Sequence, residues 1–314
     1  MNIDDAKSSR DYLLSSAAFD MNYQISYRRG LAFVLSAGVL WSTVGLGVRL
    51  IEDANVWQIL LYRSAALTAF LFFVIFLRSG KNAVVQIMNS GFPAVLAGLA
   101  LVAAYSGGIY SLQVIPVANA LLLFATAPFI TAILGWIFLR ERVRQTTWIA
   151  IFVAILAIFI MVSDQSAEGS TDGTLAAIGS AFGFAVFTVA LRWGKTGEML
   201  PAVFLSGLFA VIITSILCLY FEMSFILSAR DGGIALSMGV FQVGLGLVFY
   251  TLGSKVLPAA ELTLLSLAEV LLGPVWVWLF LGDEATLRTF IGGALLLAAI
   301  ASNALTYKSE NSSR

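Results

Sequence analysis

The segment 258–286 places acidic residues in a stretch that is long and apolar enough to cross a lipid bilayer. Glu261 lies at its start and Glu269 near its middle, where a carboxylate has no water to bind. An ionisable group at that depth is costly and usually serves a function. Segment 116–143 repeats the pattern, with matching proline, tryptophan and acidic positions. The chain is therefore predicted to be a duplication.

Composition places the chain in the membrane class. Hydrophobic residues make up 60% of it and charged residues only 11%, with a mean hydropathy of +0.93. A soluble core does not need so many apolar residues, whereas a series of membrane spans does. The formal net charge is zero, and no feature of the sequence favours binding to nucleic acid.

The titratable residue types exclude several kinds of chemistry. Histidine is absent and Cys218 is the only cysteine. An internal disulfide is therefore impossible, and so is zinc chemistry that needs an HExxH motif. Neither a metal nor a cofactor is predicted.

Ten apolar segments follow the N-terminal region, each close to the roughly 20 residues that a helix needs to span the hydrocarbon. They lie at about 31–50, 56–77, 92–112, 116–139, 146–162, 174–193, 200–220, 234–255, 258–281 and 289–307. The fold class predicted is an all-α polytopic membrane protein with ten transmembrane helices.

Basic residues indicate the orientation, because lysine and arginine in short loops stay on the cytoplasmic side. Arg28 and Arg29 precede the first segment, and further basic residues follow each even-numbered segment. Acidic residues dominate the opposite loops. Both termini are therefore predicted to be cytoplasmic, in a multi-pass protein of the inner membrane.

A polar, acidic break divides the chain into two halves of five segments. Because five is odd, each half enters the membrane from the opposite side, which predicts two inverted repeats around a central cavity. The predicted organisation is a cytoplasmic tail at 1–28, a first repeat at 29–162, an extracytoplasmic linker at 163–173, a second repeat at 174–307 and a cytoplasmic tail at 308–314.

Glu269 is the strongest candidate for a functional residue. At helical spacing it shares a face with Glu261, Ser266 and Trp276. Without water its neutral form is favoured, so it could exchange a proton or lie opposite a cationic ligand group. The alternative is a structural acid held by a hydrogen bond or an arginine. Glu261 is nearer the cytoplasmic end and is expected to reach water.

Arg63 lies about seven residues into the second segment, deeper than an ordinary boundary charge. As a functional residue it would offer a fork of donors to a substrate carboxylate or to Glu269. As a structural residue it would bond to backbone carbonyls at helix ends. Both interpretations stay open at the level of sequence.

Aromatic and polar residues inside the segments are candidates for the lining of a cavity. A tyrosine hydroxyl needs a partner in lipid, so the intramembrane tyrosines are expected to face the bundle interior. For each of these residues, ordinary packing is the alternative. The candidates are Trp41, Tyr105, Phe124, Phe187, Gln242, Tyr250 and Trp276.

Short motifs recur along the spans in a fixed order. The first segment contains LWSTVG at 40–45, the second LYRS at 61–64, and the fourth TAP at 126–128 and LRER at 139–142. The ninth has Glu269 followed by LGDE at 281–284, with valine and not proline at position 270.

In these motifs the chain resembles the EamA domains of the drug/metabolite transporter superfamily over residues 31–307. The family's ninth helix typically reads Glu-Pro, so the glutamate is kept here and the proline is not. The resemblance implies a secondary transporter, not an enzyme, with a cavity framed by helices 1, 3, 4, 6, 8 and 9.

The function implied is export of a small organic metabolite, such as an amino acid or related compound or a drug, by alternating access. Coupling to protons or exchange is expected to drive it. The alternatives are import of the same solutes, a passive channel or an intramembrane enzyme. The expected partners are the solute, protons and the bilayer, and the protein is expected to be a monomer or a homodimer.

Overall fold

The computed structural model describes residues 26–115, 120, 123–162, 170–194, 199–281 and 287–312. The regular elements within these ranges are helical. The helices are α1 (Ser26–Val48), α2 (Val56–Ser79), α3 (Gly91–Val114), α4 (Ala127–Leu139), α5 (Gln145–Val162), α6 (Thr171–Trp193), α7 (Leu200–Tyr220), α8 (Ala229–Ser254), α9 (Ala259–Ser266 and Ala268–Leu281) and α10 (Leu287–Ser312). Two short helices, Gly80–Asn82 and Ala83–Met88, follow α2.

Six of these helices, α1, α2, α3, α6, α7 and α8, are long and apolar enough to cross a membrane. Shorter apolar helices occupy Ala127–Leu139, Gln145–Ile160 and Ile291–Asn303. Large apolar side chains such as Phe73, Trp136 and Phe152 are exposed on the outer surface. Lipid solvates such surfaces, so the chain is a multi-pass membrane protein. The count of ten crossings stays a prediction.

Several predicted regions lie outside the described residues. They are the N-terminal tail up to residue 25, residues 116–119, linker residues 163–169, residues 195–198, the acidic residues at 283–284 and the last two residues. One helix start differs from the predicted one, since α8 begins at Ala229 and not at residue 234. The described part of α1 already includes Ser26, which precedes the predicted start at residue 31.

Capping side chains explain where two of the helices start. The Asn55 side chain accepts hydrogen bonds from the backbone of Trp57 and Gln58, and the Gln58 side chain accepts one from Asn55. This capping box satisfies amides that have no partner within α2. Ser228 accepts a hydrogen bond from the backbone N–H of Asp231 and thereby caps α8.

Three helices have an irregular backbone within their spans, and a fourth irregular point directly precedes α4. A turn at Ser42 and Thr43 divides α1, Leu267 separates the two parts of α9, and Thr126 precedes α4. Helix α8 contains a π-helical stretch, Met238–Gly244. The sequence patterns predicted uninterrupted segments, because apolar periodicity continues through each irregular point.

Side-chain hydroxyls accompany the irregular points in α1, α4 and α9. Ser42 donates to the carbonyl of Val39 at 2.6 Å, and Thr126 donates to that of Leu123 at 2.6 Å. In α9 the hydroxyl of Ser266 donates to the carbonyl of Thr263 at 2.8 Å. Backbone groups at membrane depth need partners inside the protein, and these hydroxyls supply them.

The helices pack in pairs that join the two halves of the chain. Helix α2 packs on α7, α4 on the first part of α9, α5 on α10 and α3 on α6. Helix α1 packs on α8, where Val34 lies against Gly253 and the rings of Phe33 and Phe249 stack at 5.8 Å. The interior side chains therefore come from both halves.

Close approach of α3 and α6 depends on glycine. A Cβ atom added at Gly183 would lie 2.7 Å from the carbonyl oxygen of Ala100 and 3.0 Å from the amide of Ala104. One turn earlier on α6, a Cβ atom at Gly179 would meet nothing within 4 Å. Small residues allow such close backbone contact between membrane helices.

Gly183→Ala is expected to lower the free energy of unfolding by about 1–3 kcal/mol, because the new methyl group would push against rigid backbone. Gly179→Ala is the matched control and should stabilise by roughly 0.5–1 kcal/mol through helix propensity. Thermal unfolding of both purified variants in detergent measures the difference. Equal melting temperatures would contradict the close α3–α6 contact.

Candidate functional site

Four aromatic side chains meet in the bundle interior. Trp41 of α1 lies 5.8 Å from Phe184 and 5.2 Å from Tyr250 between ring centroids. Phe184 and Phe187 of α6 both contact Tyr250 of α8, at 5.4 and 6.0 Å. Phe187 and Tyr250 are fully buried, whereas Trp41 and Phe184 are only half-buried. Part of the Trp41 and Phe184 side chains therefore remains accessible.

Polar groups position the cluster. Thr188 donates to the carbonyl of Phe184, so the Tyr250 hydroxyl donates to the Thr188 oxygen, 2.8 Å away. Gly246 of α8 lies under the Trp41 ring, since a Cβ atom there would be 2.3 Å from the indole nitrogen. The tyrosine hydroxyl thus has the partner that burial requires.

The turn in α1 connects the cluster to α8 and α9. The indole nitrogen of Trp276 donates to the Ser42 hydroxyl at 2.7 Å. The side-chain amide of Gln242, in the π-helical stretch of α8, donates to the Thr43 hydroxyl at 3.3 Å. Both donors therefore converge on the two residues that interrupt α1, next to Trp41.

Glu269 lies in the first turn of the second part of α9, immediately after the interruption at Leu267. The interruption forms with valine and not proline at position 270. Gly38 of α1 packs against this point, because its added Cβ would lie 3.2 Å from the Ala268 methyl group and 3.6 Å from the Glu269 amide. The first turn of a helix has free amides and favours a negative charge.

The Glu269 carboxyl is half-buried and interacts electrostatically with Tyr250 of the aromatic cluster. Within the described ranges, no arginine or lysine forms an ion pair with it, and no group donates a hydrogen bond to it. The structure thus gives no support, in these ranges, to an arginine-held structural acid. The carboxyl is placed to bind a proton or a cationic group.

Arg63 and Tyr105 form a second pair, separate from the aromatic cluster. The guanidinium carbon of Arg63 lies 4.6 Å from the centre of the Tyr105 ring on α3. No ion pair joins Arg63 to Glu269, so the structure does not bring these two predicted partners together. Phe124 also lies apart, near Gly108 and the α3–α6 contact.

The structure thus brings together some of the predicted site residues and not others. Within the aromatic cluster and around the turn in α1 it gathers Trp41, Phe187, Gln242, Tyr250, Trp276 and Glu269. Sequence reasoning missed Phe184, Thr188 and Ser42. Phe184 and Thr188 lie within one helical turn of Phe187, and Ser42 lies in the LWSTVG motif directly after Trp41.

A network of charged residues joins α4, α6 and α9 at their predicted cytoplasmic ends. Arg192 donates through Nε to one oxygen of Glu141 at 3.0 Å and through Nη1 to the carbonyl of Ser254 at 2.9 Å. The other Glu141 oxygen accepts the backbone N–H of Ala259 at 3.1 Å. One carboxylate therefore holds α6 and the start of α9 together.

Glu261 extends this network to α1. Its carboxylate pairs with Arg144 and accepts a hydrogen bond from the Tyr27 hydroxyl at 2.9 Å. Glu261 is only 2% exposed, so the expectation that it reaches water is wrong. The cause is the turn after α4, which folds Arg144 over the carboxylate. A cavity of about 180 Å³ lies beside the pair, between α4 and α9.

Comparison with known proteins identifies a family pattern that occurs twice. The pattern of the EamA-like transporter family matches residues 28–163 and 171–305. A relative from Bacillus subtilis, the uncharacterized transporter YwfM, is 23% identical over 278 residues, which cover 85% of this chain and 91% of YwfM. Human solute carrier family 35 member G1 is 26% identical over 294 residues, covering 86% of this chain and 77% of that protein.

Two further comparisons concern a named exporter and a solved structure. The pseudopaline exporter CntI from Pseudomonas aeruginosa is 23% identical over 243 residues, covering 77% of this chain and 84% of CntI. A crystal structure that is 18% identical superimposes with a TM-score of 0.76, covering 88% of this chain and 97% of the other. At that identity the superposition shows a shared fold.

Glu141→Ala is expected to lower the free energy of unfolding by about 3 kcal/mol, because it leaves the buried Arg192 guanidinium without a carboxylate. Glu52→Ala is the control. Glu52 and its partner Arg230 are 63% and 56% exposed, so its loss should cost less than about 1 kcal/mol. Thermal unfolding in detergent compares them, and equal costs would contradict a stabilising role for the cytoplasmic network.

Proposed function

Since the chain belongs to the EamA-like transporter family of the drug/metabolite transporter superfamily, we propose that it exports a small organic metabolite by alternating access. Its relatives are transporters and not enzymes. We place it in the inner membrane with both termini in the cytoplasm, in agreement with the distribution of basic residues. The name of one relative, CntI, includes the word exporter and supports export over import.

Helix packing supports the inverted repeat that the sequence predicts. Helices α2, α4 and α5 each pack on their counterparts in the second repeat, α7, α9 and α10. The contact of α3 with α6 has its equivalent in that of α8 with α1. Two copies related by a twofold axis would pack in this way, and transporters of this kind bind solute near the axis.

The observation that carries the proposal is the position of Glu269. The carboxyl lies at a helix interruption, has no ion-pair partner among the described residues, and interacts electrostatically with Tyr250 of the aromatic cluster. An unpaired acid at membrane depth marks a solute or proton site. Broken helices with free backbone ends are a recurring feature of transporter binding sites.

Proton coupling follows from competition for this carboxyl. Protonated Glu269 is neutral and tolerates a dry environment, whereas the ionised form needs a cationic solute group or water. A proton and such a solute would therefore bind alternately. Exchange of one solute for another would use the same site without a proton. The half-buried faces of Trp41 and Phe184 offer apolar surface for the remainder of the solute.

The charge pairs of the cytoplasmic network are formed in one conformation of the proposed transport cycle. Arg192, Glu141, Arg144 and Glu261 close the cytoplasmic ends of α4, α6 and α9 by paired charges. In the proposed cycle these pairs break when the site opens to the cytoplasm. Solute binding at Glu269 must then favour the conformation in which these pairs are broken. A ligand shifts a population of conformations only if its affinity for them differs.

Glu269→Gln is expected to abolish the dependence of solute efflux on an imposed pH gradient, because the amide cannot bind a proton. Proteoliposomes loaded with an amino-acid mixture, with efflux quantified by mass spectrometry, provide the measurement. Glu222→Gln, at an exposed site after α7, should behave like the unaltered protein. Wild-type proton dependence in a folded Glu269→Gln protein would refute the coupling role.

Trp41→Ala is expected to reduce efflux of the same solutes by at least about tenfold, since it removes an aromatic anchor of order 1.5–3 kcal/mol. Trp193→Ala is the control, because Trp193 is exposed and contacts only Phe92 among the ring pairs of the described residues. Trp41→Phe should retain most of the activity. A folded Trp41→Ala protein with an unchanged rate would exclude the aromatic cluster as the solute site.

A further inference from the structure

We propose that Arg63 is the anion-binding group of the transporter and that the transported solute carries a carboxylate which this arginine binds. The inference rests on the proposed transport function and names the chemical class of its solute. It concerns Arg63, which forms no ion pair with Glu269 and lies where α2 contacts α3 and the π-helical stretch of α8.

Arg63 is buried within the membrane-spanning part of α2. Its side chain is only 4% exposed, and its guanidinium lies over the face of the Tyr105 ring at 4.6 Å. The terminal nitrogen Nη2 is sealed from solvent, and among the described residues no group accepts a hydrogen bond from it. A buried donor of this kind is rare in native proteins and needs an explanation.

No counter-ion for Arg63 occurs among the described acidic residues of the interior. Glu141 pairs with Arg192, Glu261 pairs with Arg144, and Glu269 forms no ion pair with Arg63. On the outer side, Asp231 accepts hydrogen bonds from the backbone of residues 52–53. Within the described chain, the positive charge of Arg63 is therefore uncompensated.

Arg192 is a buried arginine with a structural role, and its partners can be compared with those of Arg63. It is nearly as buried as Arg63, at 7% exposed, but its guanidinium donates to the Glu141 carboxylate and to the Ser254 carbonyl. Arg63 has only an aromatic face. A cation–π contact contributes roughly 2 kcal/mol in a dry site, whereas burial of an unpaired ion costs several times more. The difference points to an anion that Arg63 binds in function.

The neighbouring part of α8 carries a second buried polar atom without a hydrogen-bond partner. Gly239 packs directly on Arg63, since an added Cβ would lie 2.2 Å from the Arg63 carbonyl oxygen. Three residues further along the π-helical stretch, Gln242 is 5% exposed, and its side-chain oxygen has no hydrogen-bond donor among the described residues. Single π-helical turns occur frequently at functional sites.

The two unpartnered atoms, Nη2 of Arg63 and Oε1 of Gln242, differ in character. Arg63 supplies donors in a planar fork that suits both oxygens of a carboxylate. Gln242 supplies an acceptor, which suits an N–H or O–H group. A solute with an acidic group and a separate hydrogen-bond donor would satisfy both atoms.

The first test measures the stability of the unliganded protein. Arg63→Met should leave the melting temperature in neutral detergent unchanged or raise it, because it replaces an unpaired buried charge by an apolar side chain. Arg192→Met is the matched control and should lower the melting temperature, because it strands Glu141. If Arg63→Met lowers the melting temperature as much as Arg192→Met does, Arg63 is structural and the proposal is overturned.

The second test measures binding of simple carboxylates. Benzoate and 3-phenylpropionate should bind the purified protein, whereas benzamide and 3-phenylpropionamide, their neutral analogues, should not. Arg63→Met should weaken carboxylate binding by at least about tenfold, since a charge-assisted hydrogen bond is worth roughly 1.5–3 kcal/mol. Arg230→Met, at an exposed site, should bind as the unaltered protein does. Equal binding of acid and amide, or unchanged binding in Arg63→Met, would overturn the proposal.

A third arm separates a solute carboxylate from a lipid phosphate. Nanodiscs of phosphatidylcholine and of phosphatidylglycerol provide neutral and anionic bilayers. Carboxylate binding in both, lost in Arg63→Met, supports the proposal. Stabilisation by phosphatidylglycerol alone, dependent on Arg63, would assign the site to lipid instead. The outcome is independent of the Glu269→Gln experiment, so failure of proton coupling and failure of this site are distinguishable.

Discussion

The cost of a polar group without water governs this structure. In a bilayer each backbone amide, hydroxyl and charge must find its partner inside the protein. The interrupted helices obey this constraint, since Ser42, Thr126 and Ser266 donate to carbonyls three residues earlier. These hydrogen bonds reduce the energetic cost of a helix interruption at membrane depth. Two of the interruptions, in α1 and α9, lie beside Trp41 and Glu269 of the proposed site.

The same constraint separates two kinds of buried charge. Around the start of α9, Arg192 pairs with Glu141 and Arg144 pairs with Glu261. Deeper in the membrane, Glu269 and Arg63 have no such partners among the described residues. Paired charges contribute to one conformation, whereas unpaired charges bind something else. The proposed proton and carboxylate sites follow from this contrast.

The helix interruptions link the proposed solute site to the helix movement that transport would need. Tight α3–α6 contact at Gly183 and the α5–α10 pair give the bundle rigid parts. Between them, the turn in α1 bonds to Trp276 of α9 and to Gln242 of α8. A ligand that changes one of these bonds acts on three helices at once. Opening of the cytoplasmic network would need such a coupled movement.

Composition, apolar periodicity and motif order in the sequence determined the membrane class, the helical fold and the family. These properties depend on residue type and spacing along one chain. Only the tertiary structure decided that Glu261 is buried against Arg144, that α9 breaks before Glu269, and that Arg63 faces an aromatic ring. The physical reason is that partners such as Tyr27 and Glu261 lie far apart in sequence. Periodicity indicates which face of a helix is apolar, but not which helix covers that face.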